Sequence, residues 1–596
     1  MLQIKHHDVD MSTPSIDEKT SKMARPETKS NSAGNRYRRN FELAVQLLRK
    51  GAAKESSRIS GDLRQRHPDN PDLFHLCAMG AFHQQDYSGA SALLTKAIAL
   101  SPNNEIYLND LGLVWMEAGR YAQALNCFQK ALTIAPHAAN IHYNMGLAFK
   151  KAGQEAAAAD AFSCALQCQP AYSKAHFSMG NLLLEKRNFQ GAEIHFRAAI
   201  SADPSYLGAY NHLSNCLGAL GRIDEARDCL LKAHTIDPTN ADTLCNLGNL
   251  ERQAHRFEKA VEYYRAAIYL KPDFVNAHFN LSLVLLLLED FENGWPEYEW
   301  RLRYFPPGSG YPHRFGLQLW NGESLIGKSI LVYDEQGFGD TLMFIRYLPT
   351  LRKLADRIVF ETRPSFLDLF RQMPFIDEIF LRGSDGRPNI QCDYCIPLLS
   401  LPGRLGISKS DLRGDTPYLF ADDKQRAHWA HRMRGDGLNV GVVWHGHTQS
   451  FSLRNLSLLS NLQGVRWYGL QKEMPPEIQT HQDHDWFIRQ LGPDLNDFAD
   501  TCAVIANLDL VISIDTSVAH LAGAMGKPVW VLLPHVPDWR WFLKQNTTPW
   551  YKSMRLFREP SRGDWQTPVG RMRRDLDQWI QDRSNITRNL TSNLLQ

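Results

Sequence analysis

Apolar positions in the first half of the chain repeat with a period of 34 residues, and this period predicts pairs of helices. Each unit has two alanines that flank one bulky residue, with a small residue earlier in the unit. The alanines are Ala90, Ala124, Ala158, Ala192, Ala226 and Ala260, then Ala97, Ala131, Ala165, Ala199, Ala233 and Ala267. The bulky positions are Leu94, Phe128, Phe162, Phe196, Leu230 and Tyr264, and the small ones are Ala78, Gly112, Gly146, Gly180, Ser214, Gly248 and Ser282. Prolines keep the same step at Pro68, Pro102, Pro136, Pro170, Pro204, Pro238 and Pro272.

The residue types in this pattern have a physical reason. Small residues let two antiparallel helices approach closely, the bulky residue is expected to fill the gap between units, and proline ends the second helix. The pattern resembles the tetratricopeptide repeat family over about residues 36–305. The ends are degenerate, as in capping repeats, with Ser56 and Ser60 near the start and Gly294 and Tyr298 at the far end. The resemblance implies an α superhelix whose concave face binds a peptide or a partner protein; a spacer or a dimerisation stack is the alternative.

The second half of the chain changes to alternating strand and helix patterns from about residue 325. The strand-like runs are ILVY, RIVFE, NVGVVWHG, VRWYGLQ, DLVISID and PVWVLLP, and the helical runs are TLMFIRYLPTLRKLA, PSFLDLFRQM, NDFADTCAVIANL and SVAHLAGAM. This order predicts parallel sheets with helices on both faces. Because the pattern restarts after about residue 425, we expect two Rossmann-like halves, 306–425 and 426–596, in an α/β arrangement of the GT-B type with a cleft between them.

Candidate site residues follow the strands of both halves. Ligands of such sheets bind outside the carboxyl ends of the strands. Asp340 comes after the first strand, Trp444-His445-Gly446 after the first strand of the second half, Asp515-Thr516-Ser517 after DLVIS, and Pro534-His535 after PVWVLL. We expect a site at these strand ends.

Several of these segments resemble glycosyltransferase family 9, the heptosyltransferase relatives, and in particular a bacterial branch with N-terminal tetratricopeptide repeats. The similar segments are EQGFGDTLMFIRYLP, WHG, DFADTCAVIANLDLVISIDTSVAHLAGAMGKPVWVLLP and PDWRWF, within about residues 313–560. The resemblance implies a GT-B fold and an inverting transfer of a sugar from a nucleotide-diphosphate donor. It implies no cofactor and no bound metal.

On the acceptor side, the resemblance implies that Asp340 is the general base. Gly337 and Gly339 would let the backbone approach the acceptor. The alternative is that Asp340 only caps the helix that follows it, a position that aspartate favours.

On the donor side, Asp515, Thr516, Ser517 and His520 open a helix after a buried strand. The N–H groups and the positive dipole end of a helix suit a diphosphate without a metal. The resemblance assigns Thr516, Ser517 and His520 to the donor phosphates. The alternative is capping by Asp515 with His520 as a packed helix residue.

The loop after Trp444 usually supplies a basic residue to the leaving group in this family. Here Arg454 is the cation in HTQSFSLRNLSL, and Leu456 stands where relatives often carry a second arginine. Trp444, Gly446 and Gln471 are further expected donor contacts.

Four other motifs are interpreted as unrelated to function. GESLIGKS (322–329) matches the P-loop pattern, but a strand follows it where a P-loop needs a helix. Asp575-Leu576-Asp577 is expected on an amphipathic C-terminal helix, HQDHD (481–485) in a loop, and Cys392-x-x-Cys395 has no second ligand pair nearby. PDWRW (537–541) either walls the cleft with Trp539 and Trp541 or docks the C-terminal segment.

Composition narrows the function classes. The net charge of +2 gives no reason to expect nucleic acid or an anionic membrane as a partner, and no apolar run approaches the roughly 20 residues that span a bilayer. Ten cysteines without framework spacing favour free thiols in the cytoplasm. Residues 1–35 are rich in Ser, Thr, Lys, Glu and Pro, have no signal-peptide core, and are expected to be disordered.

The sequence therefore predicts a cytoplasmic, metal-independent, inverting glycosyltransferase that acts on a protein or glycan acceptor and recruits partners through its repeats. Two alternatives stay open. One is a tetratricopeptide scaffold with a non-catalytic glycosyltransferase-like domain. The other is a regulator that senses a nucleotide sugar without transferring it. The nucleotide base, the sugar, the acceptor and the oligomeric state are not encoded in any readable motif.

Overall fold

The computed structural model describes residues 32–304, 316–382, 390–412, 416–446, 451–472 and 488–594. The chain divides into two compact units, Met1–Thr239 and Asn240–Gln596. Each unit is described by itself below.

The described part of the first unit consists of six helix hairpins. They pair α1 (Ser32–Arg49) with α2 (Ala53–Arg66), α3 (Pro71–His83) with α4 (Tyr87–Leu100), α5 (Glu105–Glu117) with α6 (Tyr121–Ile134), α7 (Ala139–Lys151) with α8 (Glu155–Cys168), α9 (Ser173–Glu185) with α10 (Phe189–Ala202), and α11 (Leu207–Ala219) with α12 (Ile223–Ile236). Helix α1 begins slightly before the predicted start at residue 36. The predicted helix pairs are confirmed.

The bulky repeat position packs inside its own hairpin. A Cβ built on Gly112, Gly146 or Gly180 would lie 2.5–2.6 Å from the ring of Phe128, Phe162 or Phe196. The expectation that the ring simply fills the gap between units is therefore incomplete. Glycine is needed because the ring occupies the space where a side chain would begin. At Ala78 and Ser214, which carry a Cβ, the bulky partners at the same spacing are the leucines Leu94 and Leu230, whereas Ser282 in the last unit is followed at that spacing by Tyr298.

The second unit begins with further repeat helices. These are α13 (Ala241–Gln253), α14 (Phe257–Leu270), α15 (Val275–Leu287), α16 (Phe291–Tyr298) and the short α17 (Arg301–Tyr304). Gly248 and Tyr264 repeat the glycine–ring contact, with a built Cβ 2.5 Å from the ring.

Two sheets follow in the same unit. The first has β1 (Gln318–Leu319), β2 (Ser329–Tyr333), β3 (Arg357–Thr362), β4 (Glu378–Leu381) and β5 (Tyr394–Pro397), all parallel, in the order β1-β5-β2-β3-β4. The second has β6 (Leu438–Val443), β7 (Val465–Gly469), β8 (Ile488–Gln490), β9 (Leu510–Ile514), β10 (Val529–Leu533), β11 (Thr547–Thr548) and β12 (Tyr551–Arg558), in the order β11-β12-β10-β9-β6-β7-β8. Only β11 is antiparallel among these described strands.

The strand order defines where ligands can bind. In the second sheet, β6 pairs with β7 on one side and β9 on the other, which is the order of a Rossmann sheet. The order reverses between β6 and β9, and likewise between β2 and β5 in the first sheet. Crevices form outside the carboxyl ends of the strands at such points.

The described helices of this region are short apart from the last. They are α18 (Phe338–Phe344), α19 (Leu348–Arg352), α20 (Leu367–Phe370), α21 (Leu401–Arg404), α22 (Asp423–Arg432), α23 (Phe498–Ala506), α24 (Ser517–Ala524) and α25 (Gln566–Leu594). The single helix predicted for TLMFIRYLPTLRKLA is wrong. A 3-10 turn at Ile345–Tyr347 separates α18 from α19, because Pro349 lacks the N–H that would continue the ladder.

No helix within the described ranges is long and apolar enough to span a bilayer. All ten cysteines lie in these ranges, and all are free thiols.

Candidate functional site

The carboxyl ends of β6 and β9 lie side by side at the reversal point of the second sheet. A Cβ built on Gly446, after β6, would lie 3.5 Å from Cγ2 of Thr516 and 3.8 Å from the carbonyl oxygen of Asp515, both after β9. The N–H of His445 donates to Oε1 of Gln471, which follows β7, at 3.2 Å. Three segments predicted on the donor side thus meet at one edge.

Helix α24 starts at this edge. Thr516 is its N-cap, and its Oγ1 lies 2.8 Å from Oγ of Ser513 at the end of β9. The carbonyl of Thr516 accepts from the N–H groups of Ala519 and His520. The first N–H groups of a helix have no partner within the helix, so the turn at Ser517 presents donors and a positive dipole end at this edge of the sheet.

His520 is held by protein groups and does not open toward solvent. Its ring stacks on Trp541 at 5.1 Å, Nδ1 lies 3.0 Å from the hydroxyl of Tyr551, and Nε2 lies 3.7 Å from Oδ1 of Asp515. The side chain is 3% exposed. In this arrangement Trp541 and Tyr551 fix the ring of His520, and a donor contact at Nδ1 would need that nitrogen to exchange its partner.

Asp515 is ionised at the start of α24. Burial alone would raise the pKa of Asp515, but the contact with His520 and the positive charge of Arg540 outweigh burial and hold that pKa below its usual range. This edge of the sheet therefore combines a carboxylate with the positive end of a helix.

Asp340 is the third residue of α18 and not its N-cap. Its Oδ2 accepts from the N–H of Gly337, the N-cap residue, at 2.9 Å. This is the carboxylate half of a capping box. Its Oδ1 accepts from Nη2 of Arg540, and both side chains are largely buried, with 14% and 11% exposed. Capping, proposed as the alternative role of Asp340, is present together with an ion pair.

The turn with Asp340 and the start of α24 touch each other. A Cβ built on Gly339 would lie 2.8 Å from Cδ2 of His520 and 3.6 Å from Cα of Ser517. Gly339 was predicted to allow an acceptor to approach; here the close neighbour is α24. The predicted acceptor-side and donor-side residues come together at this contact.

Arg540 is a site residue that the sequence analysis missed. It belongs to PDWRW, in which the sequence pointed to Trp539 and Trp541. In the structure the guanidinium lies between Asp340 and Asp538, and Oδ1 of Asp538 is 2.7 Å from Nη1. Its guanidinium also covers the ring of Trp539 at 4.5 Å. Burial would lower the pKa of Arg540, but the charges of Asp340 and Asp538 raise it well above its ordinary value. The available signal was an arginine between two tryptophans in the segment PDWRWF.

The remaining donor-side predictions have mixed outcomes. Trp444 is 1% exposed and belongs to the core of the second sheet with Val442 and Ile512, so the expectation that it borders a nucleotide does not fit its place. Leu456 is also a core residue, which explains an apolar side chain there. Arg454 is exposed in the 3-10 segment Leu453–Leu459.

The structure shows the location of some of the motifs that were interpreted as unrelated to function. Strand β2 begins at Ser329, directly after Lys328, so GESLIGKS has the wrong order for a P-loop. Asp575 and Asp577 lie on α25 and pair with Arg555 and Arg573. The HQDHD segment lies outside the described residues. Within them, no group of three or more His, Cys, Asp or Glu could hold a metal ion.

The helical half of the chain matches family models. A model described as TPR repeat matches residues 114–153, and models described as tetratricopeptide repeat match residues 173–206 and 205–272. The chain carries tetratricopeptide repeats. These matches cover the end of α5 and helices α6, α7 and α9–α14, and they include the glycine–ring pairs Gly180–Phe196 and Gly248–Tyr264.

One curated relative is Protein FlbA of Caulobacter vibrioides, 27% identical over 340 residues, which are 50% of this chain and 54% of the relative. The chain thus spans about half the length of the curated relative it matches.

Similar solved structures include YrrB, titled a TPR protein with an unusual peptide-binding site, at 24% identity and a TM-score of 0.28, covering 32% of this chain and 97% of YrrB. Another is the APC/C hetero-tetramer Cut9-Hcn1, at 16% identity and a TM-score of 0.35, covering 41% and 48% of the two chains.

Proposed function

We propose that this protein is an inverting, metal-independent glycosyltransferase of the family 9 type with a GT-B arrangement. The donor is a nucleotide-diphosphate sugar bound at the start of α24, and the acceptor is a hydroxyl group of a protein or glycan. The tetratricopeptide repeats recruit a protein partner or the acceptor itself. The ten free thiols favour the cytoplasm as the place of action.

The proposed reaction is a single displacement. The acceptor oxygen attacks the anomeric carbon while its proton passes to the carboxylate of Asp340. The bond from that carbon to the diphosphate breaks, and the nucleoside diphosphate leaves with the bonding pair. The N–H groups at Ser517, the positive end of α24 and the cation of Arg454 neutralise the charge that develops on the leaving group.

One observation supports the proposal above the others. Gly339, beside Asp340, packs against His520 and Ser517 at the first turn of α24. A base and a phosphate-binding helix end are therefore neighbours, as a displacement at an anomeric carbon between them requires. The positive end of α24 supplies charge at the donor phosphates, which is how the proposed reaction proceeds without a metal.

The test is the release of nucleoside diphosphate from a panel of nucleotide sugars, incubated with a mixture of protein and glycan acceptors. A positioned base is worth ~10²–10⁴-fold in rate, so Asp340→Asn is expected to reduce the release by that factor. Asp368→Asn is the control, because Asp368 is 53% exposed on the short helix α20. Turnover that survives Asp340→Asn unchanged contradicts the assignment of the base.

A second candidate is a tetratricopeptide scaffold with a non-catalytic transferase-like domain. It is favoured by the partners that Asp340 already has, the N–H of Gly337 and the guanidinium of Arg540. Under this alternative no nucleotide sugar is turned over or bound. Binding of a nucleotide sugar without turnover would instead favour a sensing role.

A further inference from the structure

Tyr298 occupies the bulky repeat position of the last hairpin but reaches a different partner from its counterpart. Tyr264, one period earlier, donates from its hydroxyl to Oδ1 of Asn249 within its own hairpin at 2.8 Å. The hydroxyl of Tyr298 meets the side-chain amide of Gln336, accepting from Nε2 at 3.1 Å. In the last unit, the side chain at the bulky repeat position therefore contacts the loop that follows β2.

Gln336 is held at its side chain by Tyr298 and at its carbonyl oxygen by Nη1 of Arg363, 3.1 Å away. Its φ is +57°, in the left-handed region that side chains other than glycine rarely adopt. It precedes Gly337, whose N–H binds Asp340. A contact that fixes Gln336 therefore fixes the geometry of the turn that presents Asp340.

Arg301, three residues after Tyr298, holds the preceding residue of the same loop. It is fully buried and donates to Glu335 from Nη2 at 2.7 Å and from Nε at 3.1 Å. The N–H of Leu399, after β5, donates to the same carboxylate at 3.1 Å, and Ser400 lies 2.8 Å from Nη2 of Arg301. The guanidinium thus occupies the reversal point of the first sheet.

The same hairpin also contacts the turn that carries Arg540. The ring of Trp539 lies 5.7 Å from Trp295 and 5.9 Å from Tyr298, at steep angles to both. Arg540, which stacks on Trp539, binds Asp340. The last repeat hairpin thus contacts both sides of the Asp340–Arg540 pair.

We infer that Tyr298 and Arg301 are positioning residues for the transferase site, and that the end of the repeats is a structural part of that site. This inference rests on the proposed function for its kinetic consequences. Its structural content, that the last hairpin fixes the turn at residues 334–340, is independent of any activity. Tyr298 and Arg301 act through Gln336 and Glu335, and neither side chain contacts Thr516 or Ser517 in the contacts described above, so their main effect is on how Asp340 meets the acceptor.

The test compares Tyr298→Phe with Tyr264→Phe in the full chain. Both variants keep the ring and lose one hydroxyl hydrogen bond at equivalent repeat positions. The first measurement is amide hydrogen exchange over residues 334–340. The second is nucleoside diphosphate release, resolved into kcat and donor KM. Arg301→Lys and Arg301→Met form a second pair that separates charge from packing.

Tyr298→Phe is expected to speed exchange across residues 334–340 and to lower kcat about tenfold or more, with donor KM unchanged, because small displacements of a base are costly. Tyr264→Phe is expected to change neither. Arg301→Lys should retain more of both properties than Arg301→Met. Unchanged exchange in Tyr298→Phe overturns the inference.

The two proposals fail in different ways. If the wild-type protein releases no nucleoside diphosphate, the proposed function fails, and exchange alone decides whether the hairpin fixes the turn. If the wild-type protein is active and Tyr298→Phe matches it in both exchange and kcat, the positioning role is wrong while the function stands.

Discussion

The carboxylate of Asp340 pairs with the guanidinium of Arg540, a residue 200 positions later in the chain. The pair joins the loop after β2 of the first sheet to the PDWRW turn after β10 of the second. Asp538 contacts the same guanidinium at 2.7 Å. The buried guanidinium of Arg540 thus pairs with two carboxylates, and one of them is the candidate base Asp340.

Removing Arg540 should destabilise the second unit. Arg540→Met leaves Asp340 with a largely buried charge and no cationic partner, which typically costs about 3–5 kcal/mol. The measurement is the free energy of unfolding in urea. Arg303→Met is the control, because Arg303 is exposed on α17 and should change stability by less than about 0.5 kcal/mol. Equal stability of Arg540→Met and the wild-type protein would show that the pair is not needed.

The buried pair of Arg301 and Glu335 should behave as one unit. Arg301→Met alone leaves Glu335 buried and uncompensated, and it should cost about 3–5 kcal/mol. Adding Glu335→Leu removes the stranded charge, so the double variant should be more stable than the Arg301→Met variant. A double-mutant cycle by urea unfolding measures the coupling. Additive losses from the two substitutions would contradict the buried pair.

The contact between α18 and α24 should reject a methyl group at Gly339. Gly339→Ala places Cβ 2.8 Å from Cδ2 of His520, and the overpacking should cost about 1–3 kcal/mol. Gly570→Ala on α25 is the matched control, because no atom lies within 4 Å of its Cβ. That substitution should be neutral or slightly stabilising in a helix. The measurement is the thermal unfolding midpoint of both variants. An unchanged midpoint in Gly339→Ala would mean that α18 and α24 can move apart to accommodate the methyl group.

The destabilisation caused by replacing a repeat glycine with alanine should be offset by replacing its ring partner with leucine. Gly146→Ala meets the ring of Phe162 at 2.5 Å and should destabilise the first unit by about 1–3 kcal/mol. Gly61→Ala on α2, with no atom within 4 Å, serves as the control. The double variant Gly146→Ala with Phe162→Leu recreates the Ala78 and Leu94 combination of an earlier unit. It should be more stable than Gly146→Ala alone; a further loss would show that the leucine is not the compensating partner.

His212 should make the stability of the first unit depend on pH. Burial, helped by the charge of Lys150, lowers the pKa of His212 to about 4 from 6.5. Between these values the unfolded chain binds more protons than the folded one, so the free energy of unfolding falls as pH decreases from 6.5 toward 4. At about 1.4 kcal/mol per pKa unit the contribution is on the order of 3 kcal/mol.

The measurement is the free energy of unfolding in urea at several pH values, with circular dichroism as the signal for unfolding. His212→Phe should reduce the loss of stability on acidification, because the ring stays packed near Phe177 without a titrating group. His137→Phe, at an exposed position, should leave the pH dependence as it is. The same slope in His212→Phe and the wild-type protein would show that other groups control it.

The repeats and six buried strands of the two sheets were predictable because local signals carry them. The 34-residue period fixes the hairpins, and the apolar runs at β2, β3, β6, β7, β9 and β10 mark buried strands. Strand β4 at the edge of the first sheet and strand β5 between β1 and β2 were missed because EIFL and YCIP are too short to show a period. Strand β12, between β11 and β10, was missed because YKSMRLFR mixes apolar and basic residues.

The candidate site was predictable in its strand ends but not in its contacts. Asp340, Asp515 and Thr516 were found because each follows a buried strand. The pairing of Asp340 with Arg540 depends on how the two sheets pack, and no local pattern encodes it. Trp444 follows a strand in the same way, yet it points into the core, because position after a strand does not determine which face a side chain takes.

The most direct measurement is a thermal-shift panel of UDP, GDP, ADP and CMP with their sugar conjugates on the wild-type protein, Thr516→Ala and Thr567→Ala. Thr567 bonds to Asp564 near the start of α25 and is the matched control. A ligand at a hundredfold excess over its Kd stabilises by about 2.7 kcal/mol. The account predicts a shift from one nucleotide family that Thr516→Ala removes and Thr567→Ala keeps. No shift from any nucleotide, with a well-folded protein, would contradict a donor site at α24.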